Sequence, residues 1–384
     1  MRYLLAAVGA LMLMTGCGGG EEAEMVSAED LNPPTMPVDT LKSVMEIGVE
    51  LGDSAYVFGA VADAVFDPQG RILVLDQVAA DLRLYDREGG FLEYVTTRGS
   101  GPGMLALPMS MFFMDDGKLM LMDMMKFGYV VFDDSLDFEE EISNWSQNPP
   151  TQGVGVSDSQ FVAYKIGSDM QDNNIVMKRS VVLYDYGQED WSRAFWQDSM
   201  TMTQSEMMAD PSKLMRDFWD PLNLGGSGEE GIFFSLKDGE EYRVLGWDLE
   251  GSEIFNVTLE LNPVNKTPEE MRAESLFVNS QIQRMFGGGG GNFPFQITPD
   301  PYKNMVEGVD LGPDGNLWIR RGTRSYPFFD VFDIETGELL RHVVYPEEGW
   351  SWQTAVSPRG IIAWEEDPPE GYQVLQVLEI PENI

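Results

Sequence analysis

Few residues of this 384-residue chain could do covalent or metal chemistry, and their scarcity narrows the reading. There is one cysteine, Cys17, and one histidine, His342. A Ser-His-Asp triad would have to be built on His342, which falls in LLRHVVY, a predicted outer strand; His342 reads as a structural residue. A multi-histidine metal centre is excluded by count. SDMQDNNIV (Ser168 to Val176) spaces its oxygens loosely as a calcium loop does, without the glycine turn or the closing glutamate. Calcium is therefore the one cofactor with any support here, and no metal ligands are assigned. Methionine is over-used, with 24 copies, and Met120, Met122 and Met124 share one strand face. Thioethers suit Cu(I), but a flexible hydrophobe filling a core is the ordinary use. RGSGPG (Arg98 to Gly103) lacks the Lys-Ser/Thr of a phosphate-binding loop and has no helix after it, so it reads as a linker.

The cations say more. Lys plus Arg number 25 against 64 Asp plus Glu, a net charge of −39. Such a surface repels phosphate backbones and anionic lipid heads, which argues against nucleic acid as a partner. Many of the scarce cations fall in segments that connect strands. Arg98, Arg321 and Arg324, with Tyr326 and Trp352, are the candidate ligand-binding residues. Aromatics beside cations suit an anionic or sugar-like small ligand. Pairing of the same arginines with the plentiful acids is the competing role.

What must position these residues is a repeat. DPQGRILVLD (Asp67 to Asp76) returns as GPDGNLWIRR (Gly312 to Arg321), with weaker copies from Met114 and Ser357. Around the first copy, AVADAVF, RILVLD, DLRLYD and FLEYVTT make four short strands separated by turn residues, in about 40 residues. The second is a continuous apolar run, as in a strand buried on both faces. One four-stranded sheet cannot hide both its faces; copies stacked radially can, and that is a β-propeller. Six blades are expected: 60–97, 108–143, 152–197, 220–261, 305–345 and 352–380. The sixth is one strand short. SVMEIGVEL (Ser43 to Leu51) is a strand without a blade, and pairing it against 372–380 would close the ring. Six blades with this closure, and RGSGPGMLALP after the first blade, resemble the propellers of the NHL and TolB-like type. That resemblance implies architecture over residues 43–380 and leaves function open. Six-bladed lactonases and lyases carry metal ligands at the channel mouth, and FGAVADAVF here lacks the lactonases' Glu-Gly-Pro.

TPEEMRAESLFVNSQIQRMF (267–286) predicts a helix inserted between blades 4 and 5. Thr267 caps it, Pro268 opens it and Glu270 completes a capping box; five glycines follow. The long segments 167–179, 198–219 and 262–304 are expected on one face, with tight turns such as DPQG, REGG and ETGE on the other. Binding is expected on the long-loop face, in a positive pocket at the channel mouth bordered by 284–304.

The N-terminus has Arg2, an apolar run over 4–14 too short to span a bilayer, and MTGC ending at Cys17. This resembles the lipobox of bacterial lipoproteins, which implies a signal peptide over 1–17 and lipidation of Cys17. Residues 18–42 read as a flexible acidic tether and 43–384 as the propeller. Gly18 after the cysteine implies outer-membrane sorting in a Gram-negative cell.

The reading is an all-β chain: a monomeric six-bladed propeller, extracytoplasmic and held to the membrane through its lipid alone. It is expected to bind a small ligand or an envelope protein without doing chemistry. Two alternatives stand beside it: a metal-dependent hydrolase, lactonase or lyase at the channel mouth, and a structural subunit of an envelope assembly.

Overall fold

The computed structural model describes residues 36–143, 145, 149–171, 174–203, 222–286 and 298–380, with backbone only for 281–286. Cys17 and the glycine run after the helix lie outside the described residues.

Two strands come first, β1 (Val38–Thr40) and β2 (Lys42–Ile47). Blade 1 is β3 (Val61–Phe66), β4 (Ile72–Asp76), β5 (Asp81–Tyr85) and β6 (Phe91–Thr96). Blade 2 is β7 (Pro108–Phe113), β8 (Leu119–Asp123), β9 (Gly128–Phe132) and β10 (Phe138–Ile142). Blade 3 is β11 (Thr151–Gly155), β12 (Gln160–Gln171), β13 (Asn174–Asp185) and β14 (Trp191–Thr203). Blade 4 is β15 (Leu222–Ser227), β16 (Gly231–Leu236), β17 (Tyr242–Trp247) and β18 (Glu253–Leu259). The helix α1 (Pro268–Phe286) follows. Blade 5 is β19 (Val306–Leu311), β20 (Leu317–Arg321), β21 (Phe328–Phe332) and β22 (Leu339–Val344). Blade 6 holds β23 (Trp352–Ser357), β24 (Gly360–Glu365) and β25 (Leu375–Glu379), and its fourth strand is β2, antiparallel to β25 from Lys42↔Glu379 to Ile47↔Leu375. The inner strands β3, β7, β11, β15, β19 and β23 neighbour one another in that order, and β23 meets β3 again. The chain is a six-bladed β-propeller.

The repeat has a physical basis in three places. Every residue of β4, β8 and β20 is buried, because each blade's two faces pack on its neighbours. An aspartate ends the second strand of blades 1 and 2 and accepts the backbone N–H groups that enter the blade. Asp76 takes those of Gly59 (2.7 Å), Ala60 (3.1 Å) and Ala79 (2.9 Å). Asp123 takes those of Ala106 (2.7 Å), Leu107, Met125 (3.0 Å) and Lys126. A second aspartate, after the third strand, closes the outer hairpin as an Asx turn: Asp86 accepts from Gly90, Asp133 from Asp137 and Asp333 from Thr336.

Two features differ from expectation. Residues 167–171 and 174–179 are not loop: β12 and β13 stay in register to Gln171↔Asn174, and β14 follows them to Thr203. Their polar composition hides twelve- and thirteen-residue strands that project past the blade. Side chains of the described residues alternate faces along that hairpin, which is not the geometry of a loop. Next, the domain begins before residue 43. β1 adds a fifth strand to blade 5, parallel to β22 from Val38↔His342, and Leu41 is 1% exposed in the core between blades 5 and 6. The methionines do what was expected: Met120 and Met122 are fully buried among Phe112, Tyr129, Trp145 and Phe161 between blades 2 and 3, which is packing.

Candidate functional site

In a blade of four antiparallel strands, the inter-blade linkers and the connections from second to third strand share one face. That face carries α1, as expected. The capping box is formed: Glu270 N–H donates to Thr267 Oγ1 (3.2 Å) and Thr267 N–H to Glu270 Oε2 (2.7 Å). Lys303 (2.6 Å from Glu270) and Lys266 (2.6 Å from Glu274) pin the helix to its flanking chain.

A cavity of about 460 Å³ lies on this face. One wall is α1, through Leu276, Phe277 and Ser280. The others are the entry to β3 (Phe58, Gly59, Ala60) and the β24–β25 connection of blade 6, including Glu366, Asp367, Tyr372 and Gln373. Phe277 is braced edge-on by Trp350, centroids 6.0 Å apart. Gln373, 6% exposed, fixes the floor: its Oε1 accepts Val61 N–H (2.6 Å), and its Nε2 donates to the carbonyls of Glu365 (3.1 Å) and Glu366 (3.0 Å). One amide thus ties blade 6 to blade 1. Glu366 accepts from Gln353 Nε2 (3.2 Å). Burial, with the charges of Glu370 and Asp367, pushes the Glu365 carboxyl up to about 7.

The inner strands carry two further acids, Asp63 and Asp310. Asp63, on β3, accepts Met111 N–H from β7 (2.9 Å), and burial pushes its pKa up to about 6. Asp310, on β19, is pushed up to about 7 by burial, with a contribution from Asp63; Arg320 acts in the opposite sense. Both keep some accessible surface, yet burial by the surrounding protein is the largest cause of their raised pKa. Arg320 spans from blade 5 to blade 6, donating to Trp352 O (2.9 Å) and Glu307 O (2.9 Å). Gly308 packs close against it: a Cβ there would sit 3.2 Å from Arg320 Cβ, a tight contact. Among the described residues, no three His, Cys, Asp or Glu side chains are grouped as metal ligands.

The five residues singled out by sequence are not one site. Arg321, Arg324 and Tyr326 converge on Phe328 in blade 5, the guanidiniums 4.8 and 5.4 Å from its ring centroid. Arg321 is 7% exposed and grips Asp330 with two bonds (2.7 and 2.9 Å). Asp330 also accepts Tyr242 Oη (2.8 Å) and lies 2.8 Å from His342 Nδ1. Burial alone would raise the Asp330 carboxyl, but His342 and Arg321 hold it below the usual range. This network knits blade 5 to blade 4, and the lone histidine is part of it. Trp352 packs on Tyr345 (5.6 Å), with Nε1 donating to Glu347 O. Arg98 is exposed and caps the β4–β5 turn through Val78 O and Ala79 O. None of the five lines the cavity.

Phe58, Phe277, Tyr372, Glu366, Asp367 and Gln373 were missed. The available signal was EEDPPEGYQ, 365–373: a long second-to-third-strand connection where blade 1 needs only 77–80.

No known family model matches the sequence, and no curated protein does. Solved structures similar in fold include virginiamycin B lyase from Staphylococcus aureus, with 10% identity over 88% of this chain and 100% of that one, at a TM-score of 0.43. A gluconolactonase from Xanthomonas campestris shares 12% identity over 88% and 99%, TM-score 0.43. The calcium-binding protein regucalcin from Agrobacterium tumefaciens shares 9% over 90% and 97%, TM-score 0.40. At these scores the likeness says nothing of activity.

Proposed function

We propose that this chain is an extracytoplasmic protein, lipid-anchored at Cys17, that binds a small ligand in the cavity between α1 and blades 6 and 1. The observation that carries the reading is the cavity itself. It has the volume of a small-molecule site, three aromatic rings and a few fixed polar groups, on the face where the propeller carries an inserted helix it does not need for closure. The anchor rests on the MTGC stretch. Among the described residues no helix is long and apolar enough to cross a membrane.

The test is retention. Purified protein is incubated with the low-molecular-mass fraction of a cell-envelope extract, washed, and the retained compounds are identified by mass spectrometry. A species held by the wild type and lost in Phe277→Ala/Tyr372→Ala is the expected result. Identical retention by the two proteins would contradict the reading. One observation favours a second reading, a hydrolase or lyase working in the channel: Asp63 and Asp310 are two acids with raised pKa on the inner strands of blades 1 and 5. Release of the retained compound with a changed mass would favour it.

A further inference from the structure

Resting on that ligand-binding reading, we infer that α1 is a lid over the cavity: it turns on the paired segments at its base and closes by leaning Phe277 on Trp350.

The base is held to blade 4. Asn265 bridges Tyr302, Lys266 N–H donates to Pro301 O (2.8 Å) and Lys303 N–H to Val264 O (2.8 Å). Met305 N–H then donates to Asp238 O (2.7 Å), which ties these segments to the β16–β17 connection. The pairs Lys303–Glu270 and Lys266–Glu274 join the first turns of the helix to this base. From there α1 passes over blade 5: burial raises the Glu274 carboxyl, Lys266 opposes that, and Glu307 on β19 adds to it. Phe277, about 15 Å along the axis from Thr267, arrives at Trp350 in the linker between blades 5 and 6. The cavity lies there, against blades 6 and 1. An element rooted on blade 4 thus supplies a wall to a cavity on blades 6 and 1.

Trp350 is a fixed post. On one side of it Gly349 N–H donates to Ser325 O (2.6 Å). On the other, Ser351 is 6% exposed; its carbonyl accepts Glu366 N–H (3.0 Å) and its Oγ accepts Asp367 N–H (2.9 Å).

The helix between base and post is lightly seated. No residue from 268 to 280 is buried; each is half-buried or exposed, and Leu276 is 64% exposed. In the blade that α1 crosses, every residue of β20 is buried. A helix in a protein draws most of its stability from burying a face, and elements with little buried surface open at the lowest free energy. A fixed base, a fixed post and a lightly seated span make a hinge and a latch. Trp350 does not itself line the cavity. It is a positioning residue, acting on the site through where it holds Phe277.

Paired spin labels read the lid directly. The full chain carrying Cys17→Ser has no other cysteine. Labels are placed at Leu276→Cys on α1 and at Met125→Cys, 62% exposed on the β8–β9 turn of blade 2, and their separation is measured by electron–electron double resonance. Two distance populations are expected in the ligand-free protein. Trp350→Ala, and Phe277→Leu from the helix side, should each enlarge the minor population several-fold while the melting temperature stays within a few degrees. Trp191→Ala, on the outer strand of blade 3, should change neither population. Adding the low-molecular-mass envelope fraction should deplete the minor population of the parent protein. A single distance that Trp350→Ala and Phe277→Leu both leave in place would overturn the lid, and so would an equal response to Trp191→Ala. Identical extract retention by wild type and Phe277→Ala/Tyr372→Ala would instead overturn the ligand reading, while the populations of the ligand-free protein still decide whether α1 moves on this hinge.

Discussion

Asp310 offers a quantitative handle on the channel. Its carboxyl is raised from an ordinary 3.8 to about 7 by enclosure on β19 and, less, by the charge of Asp63 on β3. A carboxyl raised by folding holds a proton that the unfolded chain has lost. Between roughly pH 4 and pH 7 the folded protein therefore binds more protons than the unfolded one, and stability falls as pH rises through that window. A shift of three pKa units corresponds to about 4 kcal/mol by the linkage relation, fully expressed above pH 7. Asn is nearly isosteric and carries no charge. Asp310→Asn should match the wild type near pH 4 and exceed it at pH 8 by roughly 2–4 kcal/mol, allowing for relaxation around the charged form. A domain of roughly 350 residues unfolds with an entropy near 0.7 kcal/mol/K, so the gain at pH 8 is about 3–6 °C in Tm. Thermal unfolding followed by circular dichroism at pH 4.5, 6 and 8 measures it. Asp63→Asn should show a smaller gain, and the double variant less than the sum, because each acid raises the cost of charging the other. A Tm difference between Asp310→Asn and wild type that is the same at pH 4.5 and pH 8 would refute the argument.

Three other outcomes follow from the same structure. Arg321→Ala strands the Asp330 carboxylate at 0% exposure and should cost about 3–5 kcal/mol at pH 7; the deficit shrinks in acid, where Asp330 takes up a proton, and urea unfolding at pH 7 and pH 4 checks both. Truncation through Thr35 should leave Tm nearly unchanged. Truncation through Leu51 removes β1, β2 and the buried Leu41 and bares β25, so it should lower Tm severely; equal melting of the two truncations would sink the role given to β2 in completing blade 6. Cys17→Ser should release the protein from the membrane fraction, and fractionation with an immunoblot decides it.

The architecture was legible because its causes are local. An apolar run ending in aspartate, as in RILVLD and LMLMD, specifies a doubly buried strand and the carboxylate that pins its blade. Thr267 and Glu270 specify where α1 begins. The site was legible only as a face. Arg321 reads as a lone loop cation in sequence, and its partner Asp330 becomes visible only when β20 and β21 are laid side by side. The cavity joins residues 58–60, 276–280 and 366–373, and no spacing rule connects segments that distant. The blade 3 extension was hidden for a different reason: solvent-exposed strands carry no apolar alternation to betray them.

The central claim is that ligand is held under α1 on the long-loop face, and hydrogen–deuterium exchange tests it most directly. Full-length protein would be compared with and without the low-molecular-mass envelope fraction, at peptide resolution. The account predicts added protection confined to the peptides covering 58–60, 276–280 and 366–373. Protection at the opposite face instead, in the hairpin turns around Gly70, Gly89, Gly117 and Gly337, would contradict it.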